Sequence, residues 1–476
     1  AVPVIDEAKL PQHMYAMLAA TAGVTSVSVA GDTVDALPVM VPSSKSVFGE
    51  AHYSFTLAPT LGFDHAEATG AALPADYELA AWAPDALLGP AWPAIYAALG
   101  SAIHNDYPVI EGLLNAVHLD HSITLKYTPE QMLQRGITTI DVTSHVAAVD
   151  ESSSGRIVTV ALELTANGEH VGSTQERFAI RGRATGNRAP SEAAPFGGAT
   201  IEVVDTPRSV LRRVSVKAPD DMTPFAIVSG DYNPIHTSYA AAKVAGMDAP
   251  LVHGMWLSAT AQHAAEAVVA GQGGAQIAGW TYYMYGTVDL NDEVEITVER
   301  VGRVVGGGLS LEVTCRINKQ VVSRASAYTF APKVAYVYPG QGIQSAGMGL
   351  DERTKSKAVD EVWRRADAHT RSAMGFSILA IVRDNPTEIV ARGVTYRHPE
   401  GVLNLTQFTQ VALATLAIGQ TARMREEGVL VPGAAFAGHS LGEYDALAAY
   451  AEVFPLETVL DLVFQRGSTM HSLVPR

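Results

Sequence analysis

The chain has 476 residues, of which 47% are hydrophobic and 17% charged, and its net charge is −16. This composition is typical of a globular protein, and the length predicts about three domains. The acidic balance argues against a nucleic-acid-binding protein, which needs a basic surface. The single cysteine, Cys315, excludes an internal disulfide and fits a cytoplasmic protein. No apolar run is long enough to predict a membrane span, and the N-terminus lacks the pattern of a signal peptide.

The first half of the chain becomes rich in predicted strands after an irregular start. Residues 90–103 predict a helix, and residues 116–127 alternate between apolar and polar as a strand does. A meander follows over residues 136–180, with a strong hairpin signal at Asn167-Gly168. His118 and His121 lie in the predicted strand and lack the spacing of a zinc site.

Residues 200–331 end in the same way as the first half. A helix is predicted over 254–270, and the meander after it turns at Asn318-Lys319. The two meanders superpose with an offset of 151 residues, which brings Asn318 onto Asn167. We therefore predict a duplicated domain, each copy a helix covered by an antiparallel sheet.

A polar loop stands just before the predicted helix of the second copy. Asn233 followed by proline is a helix-start signal, with asparagine as the N-cap. That signal does not explain Asp231 and His236 beside it. A carboxylate and an imidazole one turn apart can take a proton next to a thioester carbonyl and protonate a departing hydroxyl. Gly254 opens the helix, where its N–H and the helix dipole can stabilise the thioester oxygen.

This loop and the following His253-Gly254 pair resemble the hydratase-2/MaoC motif of the hot-dog fold. The resemblance implies that Asp231 and His236 share the acid/base work in converting an (R)-3-hydroxyacyl thioester to a trans-2-enoyl thioester. It also implies that Asn233 orders the loop and that Gly254 donates to the thioester oxygen, while His253 is structural. The first half has no such loop and resembles the non-catalytic partner of a double hot dog, which supplies the acyl-binding wall.

A second chemistry is predicted after residue 333. The glycines that follow the first apolar strand there are wrongly spaced for a dinucleotide-binding turn. Further on, an apolar strand runs into Gly-His-Ser-Leu-Gly and then a helical pattern, which predicts a nucleophile elbow. Such a turn exposes Ser440 and places the N–H of Leu441 at a helix start, where an oxyanion can be held. The alternative is a buried strand–turn–helix junction with an incidental serine.

The motifs PGQG, TQ, GHSLGE and RGSTM occur in the order found in malonyl/acyl-transferase domains. This resemblance implies that Ser440 is the nucleophile, with Gln341 and the Leu441 backbone at the oxyanion site. It implies that Gln410 lines the pocket and that Arg466 pairs with a malonyl carboxylate.

The family's catalytic histidine lies further downstream than this sequence extends, and neither His439 nor His471 is placed to replace it. We therefore expect the transferase part, residues 332–476, to be truncated and inactive alone. The closing Leu-Val-Pro-Arg is either native or a protease-site remnant.

A double hot dog followed directly by a transferase domain resembles the central segment of fungal-type and actinobacterial type I fatty acid synthases. The implied fold class is an α+β double hot dog followed by the first part of an α/β acyltransferase domain. The implied domains are a linker or extra hot-dog element after an enoyl reductase (1–40), a non-catalytic hot dog (41–195), a catalytic hot dog (196–331) and the transferase part.

No metal is expected, because the histidines show no His-x-x-x-His zinc spacing on a helix, and we expect this segment to need no bound cofactor. The substrate would arrive on the 4′-phosphopantetheine of an acyl carrier domain outside the segment, and the complete transferase would use malonyl-CoA. The family implies a homo-oligomer, a hexamer. Two alternatives remain open at this point: a free-standing enoyl-CoA hydratase with a docking module at its C-terminal end, and a mainly architectural segment.

Overall fold

The structure is a computed structural model. It describes residues 27–29, 32–34, 49–75, 82–104, 107–109, 116–152, 155–181, 201–270 and 276–473. The chain divides into two compact units, Ala1–Gly302 with Gly308–Phe330, and Arg303–Gly307 with Ala331–Arg476. The prediction for residues 1–40 lies outside the described residues, apart from a short hairpin of β1 (Val27–Val29) and β2 (Asp32–Val34).

The first unit contains one large sheet and the helices that it covers. The sheet strands are β3 (Glu50–Thr56), β6 (Ala116–Leu125), β7 (Thr139–Ser152), β8 (Gly155–Ala166), β9 (Glu169–Ile180), β10 (Val203–Lys217), β11 (Ile277–Met284), β12 (Glu293–Val304), β13 (Leu309–Ile317) and β14 (Gln320–Thr329). A two-residue pair, β4 (Ile103–His104) and β5 (Tyr107–Pro108), stands apart from it. The helices are α1 (Thr60–Gly70), α2 (Leu88–Ser101), α3 (Pro129–Gln134), α4 (Thr223–Ser229), α5 (Tyr239–Val244) and α6 (Gly254–Ala270).

The order of the strands shows that the two halves have the same topology. The sheet runs β10-β12-β13-β14-β11-β6-β9-β8-β7-β3. Each half therefore orders its five strands as first, third, fourth, fifth and second, and the second strands, β6 and β11, join the halves. The long helix of each half, α2 or α6, lies between its first and second strands in the sequence. This arrangement confirms the predicted double hot dog.

The duplicated meanders have matching burial and matching turns. In β8 the apolar side chains of Val160, Leu162 and Leu164 are buried, and Leu311, Val313 and Cys315 are buried at the corresponding positions of β13. Asn167 and Asn318 both adopt positive φ, 52° and 49°, a conformation that asparagine tolerates in tight hairpin turns. The helix predicted over 90–103 is observed two residues earlier as α2, whereas α6 begins and ends at the predicted residues.

The prediction that each half starts with its helix was incomplete. Strands β3 and β10 precede the helices, and α1 was not predicted at all. Strand β10 lies at the edge of the sheet with most of its side chains exposed or half-buried, so it lacks a strong apolar alternation. Helix α1 buries Gly62, His65, Thr69 and Gly70, which give no hydrophobic periodicity.

The second unit is an α/β domain around two parallel strands. Strand β15 (Ala335–Tyr338) pairs with β18 (Ala435–Gly438), and a separate hairpin is formed by β16 (Glu388–Ala391) and β17 (Val394–Arg397). The helices are α7 (Lys357–His369), α8 (Ile378–Asp384), α9 (Thr406–Glu426), α10 (Leu441–Ala449) and α11 (Leu456–Leu473). In neither unit does a described helix combine the length and apolar character that crossing a membrane requires.

Candidate functional site

A cleft lies between the two halves of the first unit and is lined by residues of both. Most of its lining is apolar, with a few polar side chains, as in small-molecule sites. The polar loop of the second half and helix α2 of the first half both contribute to it. Its polar lining residues include Tyr96, His118, Asp231, Asn233, His236 and His253.

The backbone of the polar loop is held by its own side chains. Helix α4 ends at Gly230, whose φ of 68° reverses the chain. Oδ1 of Asp231 accepts a 3.1 Å hydrogen bond from the backbone N–H of Asn233. Oδ1 of Asn233 in turn accepts from the N–H of Ile235, so Asn233 caps a 3₁₀ turn at Pro234–His236. These contacts support the prediction that Asn233 orders the loop.

The two histidine rings of the site stack on each other, with centroids 3.8 Å apart. Nδ1–H of His236 donates to the carbonyl of Leu251 at 2.9 Å, and Nε2–H of His253 donates to the carbonyl of Asp231 at 3.0 Å. The hydrogen bond to the Leu251 carbonyl fixes the neutral tautomer of His236 with its proton on Nδ1, so Nε2 has a free lone pair. That nitrogen is the proton acceptor that the site can offer.

Burial sets the charge of these side chains. It lowers the pKa of His236, although the Asp231 carboxylate and the Leu251 carbonyl act in the opposite direction. Burial, together with His236, lowers the pKa of His253 to about 3. Both rings are therefore neutral at neutral pH. Burial and the Asp231 carboxylate raise the pKa of Tyr96 well above its usual value, so its hydroxyl keeps its proton.

The first half contributes a direct contact to the loop. The hydroxyl of Tyr96, on helix α2, donates a 3.0 Å hydrogen bond to Oδ1 of Asp231. The sequence does not point to Tyr96, because this residue lies in an apolar helix of the half that was expected to be non-catalytic. No motif in the sequence marks it.

Gly254 is the first residue of α6 and lines the same cleft. Among the described residues no acceptor is bonded to its N–H, which is one of the unpaired donors at the helix start. A Cβ at this position would collide with the thioether of Met284. Gly254 therefore offers an unpaired backbone N–H to the cleft, at a position where only glycine fits beside Met284.

Three side chains of the site lie close enough to one another to be ligands of one cation. One ligand atom each from Asp231, His236 and His253 lies within 4.8 Å of the others. One nitrogen of each ring is already bonded to a backbone carbonyl, and the remaining nitrogen of His253 is buried without a partner among the described residues. The expectation that no metal binds here stays a prediction.

The second unit contains the predicted strand–turn–helix around Ser440. Strand β18 ends at Gly438, and Ser440 adopts φ 57° and ψ −109° immediately before α10. A Cβ at Gly438 would collide with the carbonyl of Gly442, and one at Gly442 would collide with the carbonyl of Tyr338. Both glycines are thus required for the strained turn, which has the geometry of a nucleophile elbow.

The other residues predicted for this site surround Ser440. Nη2 of Arg466 donates to Oγ of Ser440 at 2.9 Å, and Nη1 donates to Oε1 of Gln410 at 2.8 Å. Nε2 of Gln410 donates to Oε1 of Gln341 at 3.3 Å. The structure brings together all the residues predicted for the transferase site, since Leu441 follows Ser440 directly.

Within the described part of the second unit, no imidazole is hydrogen-bonded to Oγ of Ser440. His439 precedes it in the turn, and the side chain of His471 is exposed in the last turn of α11. Burial raises the pKa of the nearby Asp445 to about 8, although Arg466 opposes this. The final residues 474–476, and with them most of the Leu-Val-Pro-Arg prediction, lie outside the described residues.

Comparisons with known proteins agree with the two units. Residues 199–320 match the MaoC like domain family, and residues 335–476 match the acyl transferase domain family. The chain is 33% identical over 299 residues to the fatty acid synthase beta subunit stcK of Emericella nidulans. It is also 33% identical over 298 residues to the fatty acid synthase subunit beta of Saccharomyces cerevisiae.

The chain is related to a segment of fatty acid synthase beta subunits. The matches cover 55% and 54% of this chain but 16% and 14% of those two relatives, so the chain spans a small part of their length. The polar loop of the cleft lies in the part that matches the MaoC like domain, and Ser440 lies in the part that matches the acyl transferase domain.

Two solved structures are also similar to parts of the chain. HtdX of Mycobacterium tuberculosis is 16% identical, with a TM-score of 0.41, over 58% of this chain and 98% of that chain. An acyl carrier protein S-malonyltransferase from Vibrio cholerae is 32% identical, with a TM-score of 0.25, over 30% of this chain and 40% of that chain.

Proposed function

We propose that the MaoC-like part is the 3-hydroxyacyl thioester dehydratase of a type I fatty acid synthase. The observation that carries this proposal is that a carboxylate oxygen of Asp231 and a ring nitrogen of His236 lie within 4.8 Å of each other in an apolar cleft. The cleft can take an acyl chain, and the pair supplies the two proton transfers that elimination of water needs. The related beta subunits support fatty acid biosynthesis as the pathway.

In the proposed reaction, Nε2 of His236 takes a proton from the carbon next to the thioester carbonyl. The electron pair of that C–H bond forms the new double bond as the bond between C3 and the hydroxyl oxygen breaks. The leaving hydroxyl receives this proton from Nε2 of His236 and departs as water, which returns the ring to its neutral state. Between the two transfers the carboxylate of Asp231 stabilises the positively charged ring.

The charge that builds up on the thioester oxygen needs a donor in place before the reaction starts. We assign this role to the N–H of Gly254, which is unpaired among the described residues and lies at the positive end of helix α6. His253 is assigned a structural role, since its ring supports His236 and holds the backbone of Asp231.

The proposed substrate is an (R)-3-hydroxyacyl group carried on the phosphopantetheine of an acyl carrier domain. Within this proposal, residues 41–195 and 196–331 are the non-catalytic and catalytic hot dogs, and residues 332–476 are the transferase part. The whole synthase would act as a homo-oligomer, a hexamer by family resemblance. Ser440 would accept a malonyl group and Arg466 would bind its carboxylate.

The test is hydration of crotonyl-pantetheine, the reverse reaction, followed by the loss of enoyl absorbance. We expect Asp231→Asn and His236→Ala each to lower the rate by about 10²- to 10⁴-fold, the usual effect of losing one acid/base group. Two exposed side chains outside the cleft provide matched controls. Asp248→Asn is the control for the carboxylate, and His170→Gln, at a histidine that contacts Glu163, is the control for the imidazole.

Full activity in both site variants would contradict the proposal and leave a mainly architectural role. The free-standing hydratase alternative predicts instead that crotonyl-CoA is used as well as carrier-bound substrate. A strong preference for the carrier-bound form supports the synthase, and the adjoining acyl transferase match favours the same conclusion.

A further inference from the structure

The residues that line the cleft differ in exposure, and this difference distinguishes its opening from its interior. Gly286 and Thr287, which follow strand β11 in the second half, are exposed. Leu99 of α2 and Ala116 of β6, both in the first half, are 2% and 6% exposed. A pantetheine arm must pass through an exposed opening, so the acyl chain that it carries extends into the buried part.

One face of helix α2 runs along the cleft. Trp92, Tyr96 and Leu99 all line it and have the spacing of neighbours on one helical face. The hydroxyl of Tyr96 is bonded to Asp231, so the middle of this face lies beside the polar loop. An acyl chain whose reacting carbons lie at the loop can therefore extend along α2 toward Trp92 or toward Leu99.

Closely packed side chains occupy the direction toward Trp92. The indole ring meets the ring of Phe178 edge-on at 6.2 Å and the ring of His118 at 6.1 Å. The Cβ of Trp92 also lies against the loop, since a Cβ at Gly230 would be only 3.1 Å from it. This packing leaves the direction toward Leu99 for the chain.

The interior wall of the second half is less suited to an alkyl chain than that of the first. Tyr282 and Ser323, each 1% exposed, line the cleft there and carry hydroxyl groups. A buried hydroxyl gains no hydrogen bond from an alkyl chain beside it. Leu99, Ala116 and Val117 in the first half offer only apolar side chains. The chain is therefore buried most favourably against the wall of the first half.

Ala116 faces helix α2 from the neighbouring strand. It lies two residues before His118, and alternate residues of a strand point to the same face. The register of β6 against β9 shifts only after His118. Because the ring of His118 meets Trp92 of α2, the methyl group of Ala116 points toward α2 as well. Leu99 on the helix and Ala116 on the strand thus bound the same part of the cleft.

We propose that Ala116 is a specificity-determining residue, whose single methyl group lets acyl chains longer than the crotonyl group extend past Leu99. This inference rests on the proposed dehydratase function, and it names the substrate class as the longer acyl thioesters. Each methylene group that is buried along this wall should raise the affinity by about fourfold. A larger side chain at position 116 would project into the path and exclude the longer chains.

The test compares the hydration of crotonyl-pantetheine with that of trans-2-octenoyl-pantetheine. In the wild type, kcat/KM should be higher for the octenoyl substrate. Ala116→Leu should lower kcat/KM for the octenoyl substrate by about 10- to 100-fold, the usual effect of overfilling a packed site, and should leave the crotonyl value unchanged. Ala147→Leu makes the same change at an exposed alanine of β7 outside the cleft and should alter neither value.

A second variant changes the opposite wall in the other direction. Leu99→Ala widens the path, so it should raise kcat/KM for trans-2-dodecenoyl-pantetheine relative to the octenoyl substrate. Thermal unfolding of each variant shows whether the fold is kept. If Ala116→Leu does not fold, Ala116→Val makes a smaller change in the same direction.

The outcomes separate this inference from the proposed function. In either variant, a chain-length ratio equal to that of the wild type overturns the inference, while hydration of crotonyl-pantetheine leaves the dehydratase intact. An equal loss with the crotonyl and octenoyl substrates also overturns it, because that result indicates a disturbed cleft. A wild type that hydrates neither substrate overturns the proposed function. The Kd values of butyryl- and octanoyl-pantetheine then decide the inference, which requires Ala116→Leu to weaken binding of the octanoyl compound alone.

Discussion

The hydroxyl of Tyr96 and Oδ1 of Asp231 are joined by a 3.0 Å hydrogen bond that runs from one half of the double hot dog to the other. The backbone N–H of Asn233 binds the same oxygen at 3.1 Å. With Oδ1 held by two donors, Oδ2 is the carboxylate oxygen left to act on a substrate. The first half thereby fixes the orientation of a side chain that belongs to the second.

Replacing Tyr96 with phenylalanine removes this bond and keeps the ring. A hydrogen bond to a charged group contributes about 1.5–3 kcal/mol, so we expect hydration of crotonyl-pantetheine to slow by about 10- to 100-fold. The loss should appear mainly in kcat, and the melting temperature should change little. Tyr239→Phe, at an exposed tyrosine outside the cleft, is the control. An unchanged kcat in Tyr96→Phe would show that Asn233 alone orients the carboxylate.

The lowered pKa of His236 predicts the acid side of the pH–rate profile. As a base, His236 must be unprotonated, and burial moves its pKa below the ordinary value of 6.5. Activity should therefore persist as the pH falls through 6.5 and decline only below it. The measurement is kcat/KM for crotonyl-pantetheine as a function of pH. An acid limb centred above 6.5 would mean that the ring is not the base, or that it is solvated in the working enzyme.

Metal removal should leave the dehydratase unaffected. Although Asp231, His236 and His253 lie close enough to hold a cation, each ring already donates one N–H to a backbone carbonyl. Dialysis against a chelator should leave the hydration rate unchanged, and metal analysis should find less than one equivalent. A loss of rate that zinc restores would instead make the three side chains a metal site.

Ser440 should not be acylated at a useful rate in this chain. Its Oγ accepts a hydrogen bond from Arg466, and in the described residues no histidine contacts it as a base. Incubation with malonyl-CoA followed by intact-mass spectrometry should show little modification. Ser440→Ala defines the background. Rapid, stoichiometric malonylation of the wild type and none of the variant would show that another group activates the serine.

Motifs with a local cause could be predicted from the sequence. Asn233 caps its turn, the helix from Gly254 starts and ends as predicted, and Ser440 adopts the strained conformation that its flanking glycines indicated. In each case a few consecutive residues determine the local backbone. The repeated hairpin turns at Asn167 and Asn318 belong to the same class, because the turn chemistry is local.

Features that depend on distant residues could not be predicted. Tyr96 meets Asp231 across 135 positions of sequence, and nothing in the apolar pattern of α2 distinguishes it from a core residue. The bulge that turns His118 and His121 to one face exists only in the register with β9. Regular strand alternation would direct the two rings to opposite faces of the sheet. The sequence therefore did not predict that both rings lie beside the buried carboxylate of Glu176.

The pairing of β6 with β11 has a consequence for how such a protein can arise. Five residue pairs, from Thr124 with Gly279 to Asp120 with Tyr283, join the halves into one sheet. Each half caps the open edge that the other would expose, and an uncapped edge invites aggregation. A half on its own would leave this strand unpaired, so two separate halves would have to meet along the same seam. In the joined chain one polar loop serves the shared cleft, and the other half contributes side chains such as Tyr96 to it.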